Sequence, residues 1–144
     1  MNTKPNQFRR RIRGFSLIEL MVAIAVIGLL LAIAVPTYRD HLRRGAIEEG
    51  LAEMSRGQVA IEQYFLDNHT YVGAPLPAST SRFSFAYAMG EPTATTYEFV
   101  ATGSGNVSGF VYTLNQQGVK KTTGGDWGTN ATCWIIRKGG SCGS

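Results

Sequence analysis

FSLIELMVAIAVIGLLLAIAV, residues 15–35, is the stretch that decides the fold, because its 21 residues contain a single charged side chain, that of Glu19. A helix rises about 1.5 Å per residue, so a helix of this length spans the hydrocarbon core of a bilayer, which is roughly 30 Å thick. The stretch therefore predicts a helix that can cross a membrane.

The flank before this apolar run is basic. Residues 1–14 contain no acidic residue and five basic ones: Lys4, Arg9, Arg10, Arg11 and Arg13. Because basic flanks stay on the cytoplasmic side, the chain after residue 35 is expected on the opposite side of the membrane. A cleaved secretory signal is disfavoured, since the run is longer than the apolar core of such a signal and carries a carboxylate. A plain single-span anchor stays open as an alternative.

Glu19 is the functional candidate within the apolar run. A carboxylate in the middle of a bilayer costs roughly 2.5 kcal/mol or more and normally needs a partner. Glu19 lies four residues after Phe15, which is about one helical turn from a new amino terminus created there. We therefore expect its partner to be a positively charged amine on a neighbouring copy.

The sequence GFSLIEL, residues 14–20, preceded by a short basic leader, resembles the class III signal of type IV prepilins. The resemblance implies that a prepilin peptidase cleaves between Gly14 and Phe15 and methylates the new amino-terminal Phe15. It also implies that Glu19 pairs with the amino terminus of an adjacent subunit during assembly. The leader, residues 1–14, would be lost and the apolar helix would stay.

The likeness extends beyond the signal. Gly28 and Pro36 fall where pilins carry a glycine and a helix-bending proline, and the segments VPTYRDHLRRG and YFLDNHTYVGA resemble PilE-like minor pilins. The resemblance implies that residues 15–35 first cross the inner membrane as a single span and then pack in the filament core. Residues 36–144 would form a periplasmic and later extracellular globular part.

Beyond Pro36, the pattern predicts an amphipathic continuation of the same helix. Apolar residues recur there at helical spacing and form one stripe: Ile47, Leu51, Met54, Ile61 and Phe65. Proline lacks an amide donor, so we expect a kink or a looser turn without an end of the helix, which covers residues 15 to about 66. Gly45, Gly50 and Gly57 each cost about 1 kcal/mol there, and they either serve close packing or bending or are merely tolerated.

A loop is predicted over residues 68–82, and three short runs rich in aromatic and β-branched residues then predict strands. The runs cover residues 83–89, 97–102 and 110–114. The glycine-rich stretches 103–106 and 122–130 are interpreted as connections. The predicted fold class is α+β, a long amino-terminal helix packed across a three- to four-stranded antiparallel sheet, and the resemblance identifies it as the pilin fold.

Cys133 and Cys142 are the two cysteines of the chain. In a domain exported past the membrane they are expected to form a disulfide, which stabilises by roughly 2 to 3 kcal/mol in the chain-entropy model. Metal binding is the weaker alternative, because the spacing is not C-x2-C and His41 and His69 lie far off in sequence. The arrangement resembles the carboxy-terminal disulfide loop of type IV pilins.

The sequence shows no pattern typical of an enzyme. Its histidines are isolated, and neither a phosphate-binding loop nor GxGxxG is present. We therefore expect no catalysis, no cofactor and no metal. Glycosylation sequons at Asn68, Asn106 and Asn130 are interpreted as chance, because Ser, Thr and Asn are frequent in this chain.

Residues 118–144 form a basic region. Acidic residues are represented there by Asp126 alone, against four basic residues and two tryptophans: Lys120, Lys121, Arg137, Lys138, Trp127 and Trp134. Residues 15–144 as a whole carry 9 basic and 10 acidic groups, so any attraction to nucleic acid must be local. Cations beside exposed aromatic rings suit the backbone and bases of nucleic acids, and some similar minor pilins bind DNA. The alternative is a solvated loop with one or both tryptophans in the core.

The resemblance implies a structural subunit of a type IV pilus, minor rather than major, that supports pilus biogenesis, cell adhesion, twitching motility or DNA uptake. The expected partners are other pilin subunits, the prepilin peptidase and the inner-membrane assembly platform, with DNA as a further candidate. Two alternatives stay open: a DNA-binding pilin for natural transformation, and a pseudopilin of a type II secretion system. The disulfide and the shortage of carboxylates for a calcium site disfavour the pseudopilin.

Overall fold

The computed structural model describes residues 14–88, 90 and 92–143. Residues 1–13 of the expected leader lie outside this range. The elements follow in chain order: α1 (Leu17–Asn68), β1 (Phe83–Tyr87), β2 (Glu98–Gly103), a short 3-10 helix (Gly105–Val107), β3 (Val111–Asn115), β4 (Lys120–Gly124), β5 (Ile135–Arg137) and β6 (Ser141–Cys142). The chain divides into two units, and we call residues 14–37 the anchor segment and Tyr38–Ser144 the head domain.

The helix α1 confirms the predicted long helix, which does not end at Pro36. Every side chain of the anchor segment is exposed. Among the described residues, α1 is the one helix that is long and apolar enough to cross a membrane, with a mean hydropathy of 2.8 over its most apolar window. An exposed apolar surface of this extent normally marks a site that lipid or protein covers.

The helix ends where the sequence predicts, at Asp67–Asn68–His69. His69 adopts the left-handed conformation with φ of 57°, and its amide donates to the carbonyl of Phe65 at 2.7 Å. A residue in this conformation just after the last helical residue is a common way to stop a helix, although glycine adopts it more easily.

The sheet is an antiparallel meander in which β1, β2, β3 and β4 lie in sequence order. The three predicted runs correspond to β1, β2 and β3. The strand β4 corrects the interpretation of residues 122–130 as a connection throughout, because Thr122 and Gly124 pair with Tyr112 and Val111 of β3. Of the five residues of β4, only Thr122 is buried, so the strand leaves almost no hydrophobic pattern in the sequence. The stretch 103–106 is likewise not only a connection, since Gly103 is the last residue of β2.

The core of the head domain contains the predicted stripe of α1 and the alternating residues of the sheet. Ile47, Met54 and Ile61 are fully buried, and Leu51 is 7% exposed. The sheet β1–β4 contributes six buried apolar side chains: Phe83, Phe85, Phe99, Ala101, Tyr112 and Leu114. All buried side chains of the described residues lie between Ile47 and Ile135. The head domain therefore has its whole core without the anchor segment, and it can fold on its own.

Of the three glycines in the head-domain part of α1, two allow close packing. A Cβ atom at Gly50 would lie 2.5 Å from Cδ2 of Phe83, and a Cβ atom at Gly57 would overlap the ring of Pro77. A Cβ atom at Gly45 would lie more than 4 Å from the neighbouring atoms of the described residues. The packing interpretation is therefore correct for Gly50 and Gly57, and nothing in the structure requires a glycine at Gly45.

Candidate functional site

The amino end of α1 is built from the residues of the predicted signal. The amide of Glu19 donates to Oγ of Ser16 at 3.3 Å, and the amide of Ser16 donates to Oε2 of Glu19 at 3.5 Å. This reciprocal pair is a capping box, which satisfies two of the amide donors that a helix start leaves without partners. Sequence reasoning missed this role of Glu19, although the pattern Ser-x-x-Glu is itself a helix-start signal.

The capping box leaves the charge of Glu19 uncompensated. Within residues 14–88, 90 and 92–143, the five ion pairs of the chain do not include Glu19. Phe15, four residues before it, is 79% exposed. The part of the chain that the structure describes therefore supplies no counter-charge for this carboxylate.

The predicted helix-bending residues lie within α1. Among residues 14–88, 90 and 92–143, a Cβ atom at Gly28 would meet no neighbouring atom within 4 Å. Pro36 lies in the helix interior, and next to it the hydroxyl of Thr37 donates to the carbonyl of Ile33 at 3.1 Å. The carbonyl that loses its backbone donor at Pro36 is that of Ala32, so the bond from Thr37 does not replace the missing donor.

The predicted disulfide between Cys133 and Cys142 is formed, with 5.8 Å between the two Cα atoms. It lies at the base of a hairpin made of β5 and β6, and Arg137 and Lys138 lie at the tip of that hairpin. Sequence reasoning foresaw the bridge and the display of these two cations.

Three buried side chains fix this hairpin to the sheet. The hydroxyl of Thr122 donates to the carbonyl of Cys133 at 3.0 Å and accepts the amide of Ile135 at 2.8 Å. The hydroxyl of Tyr112 donates to the carbonyl of Ile135 at 2.8 Å, and burial raises the pKa of this phenol. Nε1 of Trp134 donates to the carbonyl of Thr113 at 2.9 Å. The hairpin is therefore held rigidly even apart from its disulfide.

The structure separates the four predicted DNA-binding cations into two groups. Nζ of Lys121 lies 3.7 Å from Glu98, and Nζ of Lys138 lies 3.9 Å from Asp40. Lys120 and Arg137, in contrast, form no ion pair with any described residue. These two side chains line one groove, which we call the basic groove.

The basic groove has a volume of about 560 Å³ and lies between α1 on one side and β4 with the disulfide hairpin on the other. Its side chains include Arg44, Glu48 and Leu51 from α1, and Lys120, Trp134 and Arg137 from the opposite side. Nε of Arg44 donates to Oε1 of Glu48 at 2.7 Å. Three cations thus stand against one carboxylate. Sequence reasoning missed Arg44 because helical periodicity places it only on the polar surface of α1.

The tryptophans do not serve as the exposed stacking residues that the sequence interpretation named. Trp127 is 6% exposed and packs edge-on against Phe110, with 5.0 Å between ring centroids. Trp134 is 7% exposed, and Nζ of Lys120 lies 4.7 Å from its ring centroid. Both rings belong to the core, as the alternative interpretation expected, so the expectation that they are free to stack on bases is corrected.

Among the described residues, no group of three or more His, Cys, Asp or Glu side chains could hold a metal ion. A second groove of about 580 Å³ lies between the last third of α1 and the turn after β3. It is lined by glutamine side chains and by the carboxylate of Glu62. That carboxylate accepts hydrogen bonds from Tyr71 and Tyr97.

Two family models match this chain. One, described as a prokaryotic N-terminal methylation motif, matches residues 9–35. The other, described as type IV minor pilin ComP, DNA uptake sequence receptor, matches residues 36–129. The second match covers more than half of the chain and includes most of the head domain.

Individual proteins are also similar to this chain. A fimbrial protein of Pseudomonas aeruginosa is 38% identical over 68 residues, which cover 47% of this chain and 44% of that protein. The type IV major pilin protein PilE1 of Neisseria gonorrhoeae is 29% identical over 135 residues, which cover 90% of this chain and 66% of that protein. The chain spans about half to two thirds of the length of these curated relatives.

A solved structure has a similar fold. The non-core minor pilin PilV of Neisseria meningitidis superposes with a TM-score of 0.55 at 16% identity, covering 62% of this chain and 94% of that chain. At this identity the likeness concerns the fold alone. It agrees with the observed architecture of one long helix packed on an antiparallel sheet.

Proposed function

We propose that this chain, which belongs to the ComP family of type IV minor pilins, is a pilus subunit that assembles through its amino-terminal helix. The observation that carries this proposal is the anchor segment, a helix with wholly exposed apolar side chains and a methylation motif over residues 9–35. Such a surface needs lipid before assembly and other helices afterwards. The subunit first spans the inner membrane and later stands in the extracellular filament.

Processing follows from the same segment. We propose that prepilin peptidase removes residues 1–14 and methylates Phe15, and that the inner-membrane assembly platform then receives residues 15–144. The methylation motif supports the cleavage between Gly14 and Phe15. The exposure of Phe15 and the capping box just after it leave this junction accessible.

Mass spectrometry of filaments sheared from cells tests the assembly proposal. We expect a peptide that begins at methylated Phe15, at a low abundance relative to other pilins, as for a minor subunit. An abundant peptide would make this chain the main fibre subunit. A processed chain that stays in the envelope and never enters filaments would contradict the proposal and favour the pseudopilin alternative.

Glu19 is proposed to pair with the amino terminus of an adjacent subunit. The charge of Glu19 can be tested separately from its capping role, because glutamine also completes a capping box and alanine does not. If the charge matters, Glu19→Gln and Glu19→Ala are both cleaved normally and both fail to enter filaments. If only the cap matters, Glu19→Gln enters filaments like the wild type, and the electrostatic proposal is wrong.

DNA binding by the head domain is the second proposed function, as for a pilin that serves natural transformation. It is supported by the ComP family match and by Lys120 and Arg137 of the basic groove, which form no ion pair with the residues that the structure describes. Binding through phosphates weakens as salt rises, because condensed counterions return to the DNA. Fluorescence anisotropy of a labelled duplex with the head domain, measured over a range of salt concentrations, should show this dependence. A head domain that does not bind at low salt would contradict the proposal.

A further inference from the structure

We propose that the basic groove is a binding site for the phosphodiester backbone of a nucleic acid strand, with Arg44 as one of its three cationic ligands. This inference rests on the DNA-binding function proposed above. It goes beyond it by selecting one surface, by adding a residue from α1, and by excluding Lys121 and Lys138 from the site.

The charges of the groove are available to a ligand. Arg44 uses Nε for Glu48, and its other two guanidinium nitrogens have no hydrogen-bond partner among the described residues. Within the same range, the side chains of Lys120 and Arg137 donate no hydrogen bond. A planar guanidinium suits two phosphate oxygens at once, and an ammonium acts on them as a point charge.

The basic groove is also preorganised for binding. Its volume of about 560 Å³ is within the range of pockets that enclose ligands. Lys120 is held over the ring of Trp134 by a cation–π contact, and Arg137 is carried by the hairpin that Thr122 and Tyr112 fix to the sheet. Little side-chain entropy is then lost on binding, which favours affinity.

The remaining surfaces fit a phosphodiester less well. Lys121 and Lys138 do not line the basic groove. Each has a carboxylate partner, at 3.7 and 3.9 Å, as Arg44 has in Glu48, but Arg44 lines the groove and keeps two guanidinium nitrogens for a ligand. The second groove is lined by Glu62, whose charge repels phosphate. Leu51, Trp134 and Ile136 give the basic groove an apolar lining, which suits the sugar between two phosphates.

The test compares two triple variants of the head domain that lose the same net charge. The groove variant carries Arg44→Gln, Lys120→Gln and Arg137→Gln. The control variant carries Arg39→Gln, Lys121→Gln and Lys138→Gln, none of which lines the groove. Circular dichroism checks that both variants fold, and anisotropy of a labelled short duplex measures binding.

The two variants should differ in affinity and in salt dependence. We expect the groove variant to bind at least roughly tenfold more weakly, since charge-assisted hydrogen bonds are lost. The slope of log K against log salt should fall by about 2 to 3, at about 0.9 per phosphate contact. The control variant should keep nearly the wild-type slope. Removing the groove's carboxylate with Glu48→Gln should act in the opposite direction and tighten binding.

Indole signals in ¹H–¹⁵N spectra locate the ligand without any substitution. Duplex should shift the signal of Trp134, which lines the groove, and leave that of Trp127 nearly unchanged. Vesicles that contain phosphatidylglycerol serve as the lipid arm. A shift of Trp134 with these vesicles but not with duplex would assign the groove to a lipid headgroup and overturn the inference.

The outcomes separate the two proposals. If the wild-type head domain binds no DNA, the DNA-binding function fails and this inference fails with it. If the wild type binds and the groove variant matches the control variant, only the groove is wrong. If the groove variant alone loses affinity and salt dependence, the site is supported.

Discussion

The packing of α1 on the sheet makes a sharp prediction for two glycines of one helix. Gly45→Ala adds a methyl group in open space, so we expect it to stabilise the head domain by about 1 kcal/mol, the difference in helix propensity between glycine and alanine. Gly50→Ala gains the same propensity but places Cβ 2.5 Å from a ring carbon of Phe83. Phe83 is 2% exposed and has little room to move, and overpacking of a core costs about 1 to 3 kcal/mol.

The difference between the two variants isolates this overlap. Thermal unfolding of the head domain, followed by circular dichroism, measures it directly. At roughly 4 °C per kcal/mol for a domain of this size, Gly50→Ala should melt about 4 to 12 °C below Gly45→Ala. Equal melting temperatures for the two variants would refute the claim that Gly50 is there for close packing against β1.

Three further predictions concern the same domain. Thr122→Val leaves the carbonyl of Cys133 and the amide of Ile135 without their hydrogen-bond partner. It should therefore lower the free energy of unfolding, measured by urea titration, by about 2 to 4 kcal/mol. The exposed control Thr123→Val should change it by less than about 0.5 kcal/mol. His69→Gly removes the strain of a left-handed residue and should raise that free energy by about 0.5 to 1 kcal/mol, and an unchanged value would contradict the strain. Burial raises the pKa of the Tyr112 phenol above its ordinary value of 10.0, so this phenol ionises at a lower pH in the unfolded chain than in the folded one. The free energy of unfolding should therefore fall as the pH rises above about 10. Tyr112→Phe should make that fall shallower.

The sequence predicted the helix, three strands of the main sheet and the disulfide because each has a local signature. The stripe from Ile47 to Phe65 repeats at helical spacing, and cysteines in an exported domain pair readily. The strand β4 has no such signature, since it lies at the edge of the sheet and buries only Thr122. A polar strand of this kind is specified by pairing with β3, which a search for hydrophobic periodicity does not detect.

The basic groove was out of reach of the sequence for a different reason. Its cations come from α1, β4 and the disulfide hairpin, and only the folded chain brings them together. Counting charges along residues 118–144 grouped Lys120 and Arg137 with Lys121 and Lys138. The carboxylates that compensate Lys121 and Lys138 are Glu98 and Asp40, which lie outside that stretch.

The small number of available cations limits what a single head domain can do. Three groove cations correspond to a salt slope of about 3, whereas proteins with 6 to 10 phosphate contacts have slopes roughly two to three times as steep. A single head is therefore expected to bind DNA weakly at physiological salt. Several copies carried on one filament would act together, because after the first contact the next one is intramolecular and its effective concentration is high. If the proposed roles of the basic groove and of Glu19 are both correct, DNA capture by cells depends on assembly. A Glu19 variant should then lose DNA capture by cells, while its isolated head domain binds DNA as the wild type does.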